Sequence, residues 1–184
     1  RPPTRGDRRV MRFRAQLTAQ KKPLVAAVNG AAVGVGTTML LHCDLVYAAP
    51  KAKFQMPFVN LGLCPEAGSS LLLPMVAGYQ RAAELLMLGE MFSAEQALSY
   101  GLVNQIFEED YQGQALARAK ALAERPPQSV RLTKALLKQA YMGSLKSIMA
   151  DEGANFTRML REPAAVEAMS AFMQKRKPDF SKLS

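Results

Sequence analysis

Lys22–Pro50 reads KPLVAAVNGAAVGVGTTMLLHCDLVYAAP. Two short apolar runs bracket it, PLVAAVNG closed by Gly30 and DLVYAAP stopped by Pro50. Each predicts a buried strand bounded by a breaker. The middle, AAVGVGTTMLLHC, passes from a glycine-containing turn into a buried helix. A third run, AKFQMP, predicts another strand, stopped by Pro57. Short apolar strands separated by a helix point to a parallel sheet with right-handed crossovers.

Outward from this stretch the pattern changes. RPPTRG at 1–6 reads as linker-like, and 8–20 as a basic helix with Val10, Phe13 and Leu17 on one stripe, ended by Pro23. On the other side, SSLLLPMVAG and YQRAAELLMLG are helical, each ending near a glycine. SAEQALSYG carries Ser93 as N-cap with Gln96 three residues on, a capping box. LVNQIF is a short strand, and helices follow near 111–124, 128–142, 144–160 and 163–175. The expected organisation is a basic arm and helix at 1–22, an α/β core at 23–110 and a helical region at 111–184, in one unit.

The chain has 184 residues, enough for one domain with a real core. No window offers eighteen consecutive apolar residues, so no transmembrane span is expected. The Arg-rich start lacks the apolar segment of a secretory signal. Ser181–Leu183 spell a peroxisomal tripeptide, but Ser184 follows it. With two cysteines, Cys43 and Cys64, a disulfide framework is not expected, and the expectation is a reducing, cytoplasmic location. His42 is the only histidine, which excludes a His-rich zinc site and leaves no metal site in view; a structural role is expected for it. The net charge of +9 raises the question of nucleic acid. Eight of the Lys and Arg residues lie in 1–22, so the excess is a terminal arm without interleaved aromatics, and nucleic acid is not the expected partner.

NGAAVGVGTT, Asn29–Thr38, invites a dinucleotide reading, but the spacing is G-x-x-x-G-x-G and no acidic ribose contact follows. The same geometry has another use. Amides at a helix start carry partial positive charge, and Gly34 and Gly36 permit close approach of a ligand. A thioester oxygen becoming an enolate would be stabilised there, each such donor being worth about 3 kcal/mol of barrier.

VNLGLCPEAGSSLLLP, Val59–Pro74, holds one carboxylate, Glu66. Two readings stand side by side. Glu66 is an acid placed at the start of a helix, favoured there by the dipole by about 0.3–1 kcal/mol. Alternatively it is buried beside Leu61, Leu63 and Met56 and acts as a base. Cys64 has no adjoining cation or histidine, so inert packing is expected of it.

The run from Lys22 to Pro74, continued through GYQRAAELLMLGEMFSAEQALSYGLVNQIF to AMSAFMQKRKPDF, resembles the crotonase superfamily, the enoyl-CoA hydratase/isomerase family. The resemblance implies a ClpP/crotonase-like α/β spiral of β-β-α turns followed by a helical trimerisation region. It implies acyl-CoA thioester substrates, no cofactor beyond the coenzyme A they carry, an enolate held by two backbone amides, and a homotrimer or hexamer. Carried over by position, Val35 supplies one oxyanion N–H and Gly34 lies beside it. Phe172 and Lys175 match positions near the adenine and phosphate of coenzyme A. Hydratases of the family carry two glutamates where this chain has Thr38 and Phe58, so the acyl pocket here is lined differently. Glu66 stands where Δ3,Δ2-enoyl-CoA isomerases carry their glutamate, in a similar P-E-G/A-x-S-S context. The implied activity is therefore conversion of 3-enoyl-CoA to trans-2-enoyl-CoA. The alternatives are a hydratase or other crotonase activity, and a non-catalytic fragment that assembles or binds RNA through the basic arm. Relatives also carry an N-terminal portion ending in A-G-x-D that supplies the second oxyanion amide. About twenty residues precede Lys22 and none match it, so the expectation is an N-terminally truncated spiral lacking half of the enolate clamp.

Overall fold

The computed structural model describes residues 12–13, 15–181 and 183. Helix α1 comprises the helical residues 12–13 and 15–19. Arg14 and the rest of the predicted arm, 1–11 with Val10, lie outside the described residues.

Two three-stranded sheets follow. One is wholly parallel, in the order β1 (Val25–Val28), β3 (Leu45–Ala48), β6 (Gln105–Ile106). The other runs β2 (Ala31–Val33), β4 (Lys53–Gln55), β5 (Phe92–Ser93), with β2 and β4 parallel and β5 antiparallel to β4. The single parallel sheet read from the apolar runs is thus two sheets. The chain turns at Asn29–Gly30 and gives one strand to each, and does so again between β3 and β4. Ala31–Val33, expected to lead into a helix, is a strand: Ala32 is buried while Ala31 and Val33 are exposed, a period of two. The helix that remains is short, α2 (Val35–Thr38), continued by a 3-10 turn at Met39–His42. Gly34 opens α2 at φ 57° and ψ −119°, a conformation that side chains other than glycine's rarely enter.

A 3-10 turn at Val59–Leu61 leads to α3 (Ser69–Ala77) and α4 (Tyr79–Leu88). The predicted capping box forms at α5 (Ala94–Ser99): Ser93 Oγ accepts from Gln96 N, and Gln96 Oε1 accepts from Ser93 N. The helical region consists of α6 (Tyr111–Ala123), α7 (Pro127–Gln139), α8 (Met142–Met159) and α9 (Pro163–Met173). Pro127 and Pro163 sit at helix starts, where their missing N–H removes no intrahelical bond.

The main core lies between the sheets and the helices, around Phe54, Met56, Leu73, Val46 and Val103. Phe54 and Phe92 stack at 5.6 Å across the β4–β5 pair. Burial of side chains this size is worth roughly 1.5–3 kcal/mol each. The helical region is bonded to this core through buried charge: Lys134 of α7 donates to Asp44 Oδ2 at 2.7 Å and to the Lys22 carbonyl at 2.8 Å. No helix among the described residues is long and apolar enough to cross a membrane.

Candidate active site

Glu66 lies on the segment between the Val59–Leu61 turn and α3, with 2% of its surface exposed. Its Oε1 accepts the Thr38 hydroxyl at 2.6 Å. Thr38 is the last residue of the four-residue α2 and Val35 the first, so the carboxyl is bonded to the same short helix whose first amide is that of Val35. The amides of Thr37 and Thr38 turn back to Gly34 O at 2.9 and 3.0 Å. The Val35 amide precedes them as a first-turn donor, a position without an intrahelical acceptor. Val35 is 45% exposed, and no atom comes within 4 Å of a Cβ built on Gly34, so this side of the turn is open to a ligand. The α2 turn is anchored from beneath: Thr37 Oγ1 donates to Ala32 O at 2.5 Å, and Gly34 N donates to Gln55 O at 2.9 Å.

The turn that carries Glu66 is held from two sides. Ala67 and Gly68 both adopt left-handed backbone, at φ 57° and 75°. His42, on the 3-10 turn after α2, bonds the Ala67 carbonyl through Nε2 at 2.7 Å. A carbonyl only accepts, so Nε2 carries the proton. Burial lowers the affinity of this imidazole for a second proton below its ordinary value. From the opposite side comes Glu152 of α8, 8% exposed. It accepts from Gly68 N at 2.6 Å, Ser70 N at 3.0 Å and Ser70 Oγ at 2.6 Å. The local N-cap of α3, Gly68, has no side chain to offer, and a glutamate more than eighty residues along the chain does the capping. Ser69 Oγ closes the turn by donating to the Glu66 carbonyl at 2.7 Å.

The site residues read from the sequence divide accordingly. Thr38 and Glu66 are bonded to each other, and Gly34 and Val35 open the same short helix that ends at Thr38. Phe58 is buried nearby in the core, edge-on to Phe156 with ring centroids 6.4 Å apart. Phe172, 80% exposed, and Lys175 stand at the C-terminal end of α9, and no described hydrogen bond or ring contact links them to the Glu66 turn. Cys43 and Cys64 are free thiols, and burial pushes both toward the protonated, unreactive form. Sequence reasoning missed Glu152, and it gave His42 a structural role without its bond to the Ala67 carbonyl next to Glu66. The glycine before Ser69, which offers no capping side chain, was the local sign that this helix start is capped from elsewhere.

Paired strands feeding two sheets, a glycine-opened short helix and a buried carboxylate bonded to its last residue fit a crotonase-type α/β spiral. The chain belongs to the enoyl-CoA hydratase/isomerase family, whose description matches residues 7–182. It is 38% identical over 167 residues to the 2,3-dehydroadipyl-CoA hydratase of Escherichia coli, covering 90% of this chain and 66% of that protein. It is 37% identical over 158 residues to enoyl-CoA delta isomerase 2 of Rattus norvegicus, covering 85% and 40%. The crystal structure of an enoyl-CoA hydratase/isomerase from Pseudoalteromonas atlantica superposes with a TM-score of 0.90 at 42% identity, over 93% of this chain and 69% of that one. The chain thus spans about two thirds of the length of the bacterial hydratase and less of the mammalian isomerase.

Proposed function

We propose that this chain carries the proton-transfer centre of an enoyl-CoA isomerase, moving the double bond of a 3-enoyl-CoA to the trans-2 position. Glu66 removes a proton from C2 of the thioester. The electrons pass into the C1 carbonyl and the adjoining double bond, giving a dienolate whose oxygen is held by the Val35 amide. The same carboxyl returns the proton to C4, leaving the double bond between C2 and C3 and the glutamate as it began. A proton changes carbon and no electrons leave the substrate, so the reaction needs no redox partner and no cofactor beyond the coenzyme A of the thioester. One carboxyl suffices for this, whereas addition of water is served by a second group to activate it.

The observation that carries the reading is the bond from Thr38 to Glu66, which fixes the buried carboxyl beside the first turn of α2. Thr38 and Phe58, where hydratases of the family carry glutamates, are a hydroxyl donor and a packed ring. Phe172 and Lys175, exposed at the end of α9, are assigned to the adenine and phosphate of a coenzyme A bound by a neighbouring copy in a trimer or hexamer. A cytoplasmic setting belongs to the same reading.

The test follows a 3-enoyl-CoA by the ultraviolet absorbance of the conjugated product. Glu66→Gln is expected to lower turnover by about 10²–10⁴-fold while leaving coenzyme A binding intact. Retained isomerisation would overturn the role of Glu66, and hydration of crotonyl-CoA that survives the substitution would favour a hydratase.

A further inference from the structure

We propose that Glu152 is a positioning residue for Glu66: by occupying the N-terminus of α3, it keeps the Glu66 carboxyl on Thr38. The inference rests on the reading of Glu66 as the base, and its structural half can be tested separately.

Amides at a helix start attract whichever carboxylate can reach them. Glu66 precedes α3 by three residues and is the nearest acid in sequence. Left free, those amides would compete with Thr38 for the Glu66 carboxyl. In this fold the amides of Gly68 and Ser70 and the hydroxyl of Ser70 are taken by Glu152. Glu152 comes from α8, packed against α3, and is itself buried. Two carboxylates therefore divide two donor sets, with Glu152 on the start of α3 and Glu66 Oε1 on Thr38. The left-handed pair Ala67–Gly68 is the hinge between them, and a Cβ added at Gly68 would lie 2.3 Å from Leu145 Cδ1 of the same α8. The helical region thus does more than pack on the spiral, because one of its side chains fixes the direction of the acid.

The experiment uses the whole chain with Glu152→Gln, which keeps the shape and removes the charge, and Glu152→Ala, which leaves space for an added carboxylate. In Glu152→Gln, kcat for 3-enoyl-CoA is expected to fall about 10²-fold, the scale of a misplaced reacting group, with KM within about twofold. In Glu152→Ala, formate is expected to restore turnover in a saturable way that chloride does not. A crystal structure of Glu152→Gln is expected to show the Glu66 carboxyl withdrawn from Thr38 and turned onto the α3 amides. Unchanged kcat, a rise in KM equal to the loss of kcat, or Glu66 still on Thr38 would each overturn the proposal. Failure of both variants to fold would assign Glu152 to the fold alone and overturn it as well. Persistent activity in Glu66→Gln would instead remove the base reading, leaving the crystallographic result to decide the positioning.

Discussion

The Thr38 hydroxyl donates to Glu66 Oε1 at 2.6 Å between residues 28 positions apart, joining the glycine-opened helix to the turn before α3. Both residues are buried, which limits how readily water can replace this bond when it is removed. Thr38→Val keeps the side chain's shape and deletes the donor. A hydrogen bond to a charged group is worth about 1.5–3 kcal/mol, or tenfold and more in rate if it is spent on orientation. Thr38→Val is expected to lower kcat by about tenfold, with a smaller change in KM, in steady-state isomerase assays. Equal kcat would show that the carboxyl is oriented without the hydroxyl.

The strands were legible from Lys22–Gln55 because their boundaries are marked by Gly30, Pro50 and Pro57, and the helical half because its apolar spacing is regular. The division into two sheets was hidden, since AAV continues the same small apolar composition into a glycine turn and its alternation spans only three residues. Glu66 was legible as a residue worth asking about. Its surroundings could not be read locally, because Glu152, which takes the Gly68 and Ser70 amides at the start of α3, meets them only after α8 folds back more than eighty residues later. Gly34 was legible from the glycine spacing as a point of close approach, whereas Val35 came from the family resemblance, carried over by position. The partnership of Thr38 with Glu66 was not legible, as nothing in a threonine announces which distant acid it will meet.

His42 gives the site a pH dependence whose sign follows from its burial. The folded imidazole binds a proton less readily than the ordinary value near 6.5. The unfolded chain therefore holds the extra proton between the two values, and stability rises with pH across that interval. Its contribution is whole above about pH 6.5, declines as pH falls below it, and levels off under the folded value. His42→Gln retains a donor for the Ala67 carbonyl and does not titrate. The difference in urea midpoint between the two proteins is expected to vary with pH below about 6.5 and to be flat above it. A difference that is constant throughout would remove His42 from the pH response.

Lys134 is 6% exposed, and its ammonium is paired to Asp44 and to the Lys22 carbonyl. Lys134→Met leaves Asp44 with the Leu24 amide at 2.7 Å and partial access to water. Breaking a fully buried pair costs about 3–5 kcal/mol, and this residual solvation reduces the expected cost to about 2 kcal/mol. The measurement is the urea midpoint at fixed slope. Because the pair is shielded, the loss should persist in high salt, and its disappearance there would mark the contact as an ordinary surface ion pair.

Gly62 and Gly30 make a matched pair of alanine substitutions. At Gly62, φ is 65°, and an added Cβ would lie 2.7 Å from the backbone of Ala164 and Ala165 at the start of α9. Backbone cannot give way as the end of a side chain can. Gly62→Ala therefore combines left-handed strain with overpacking and is expected to cost about 2 kcal/mol or more. It should raise hydrogen exchange along α9 before the rest of the chain, because that helix alone must move to admit the methyl group. At Gly30 nothing lies within 4 Å of the added carbon and φ is not in the left-handed range. Gly30→Ala is expected to stay within about 0.5 kcal/mol of the parent. Equal destabilisation at the two positions would show that the docking of α9 on Gly62 is not what makes that glycine necessary.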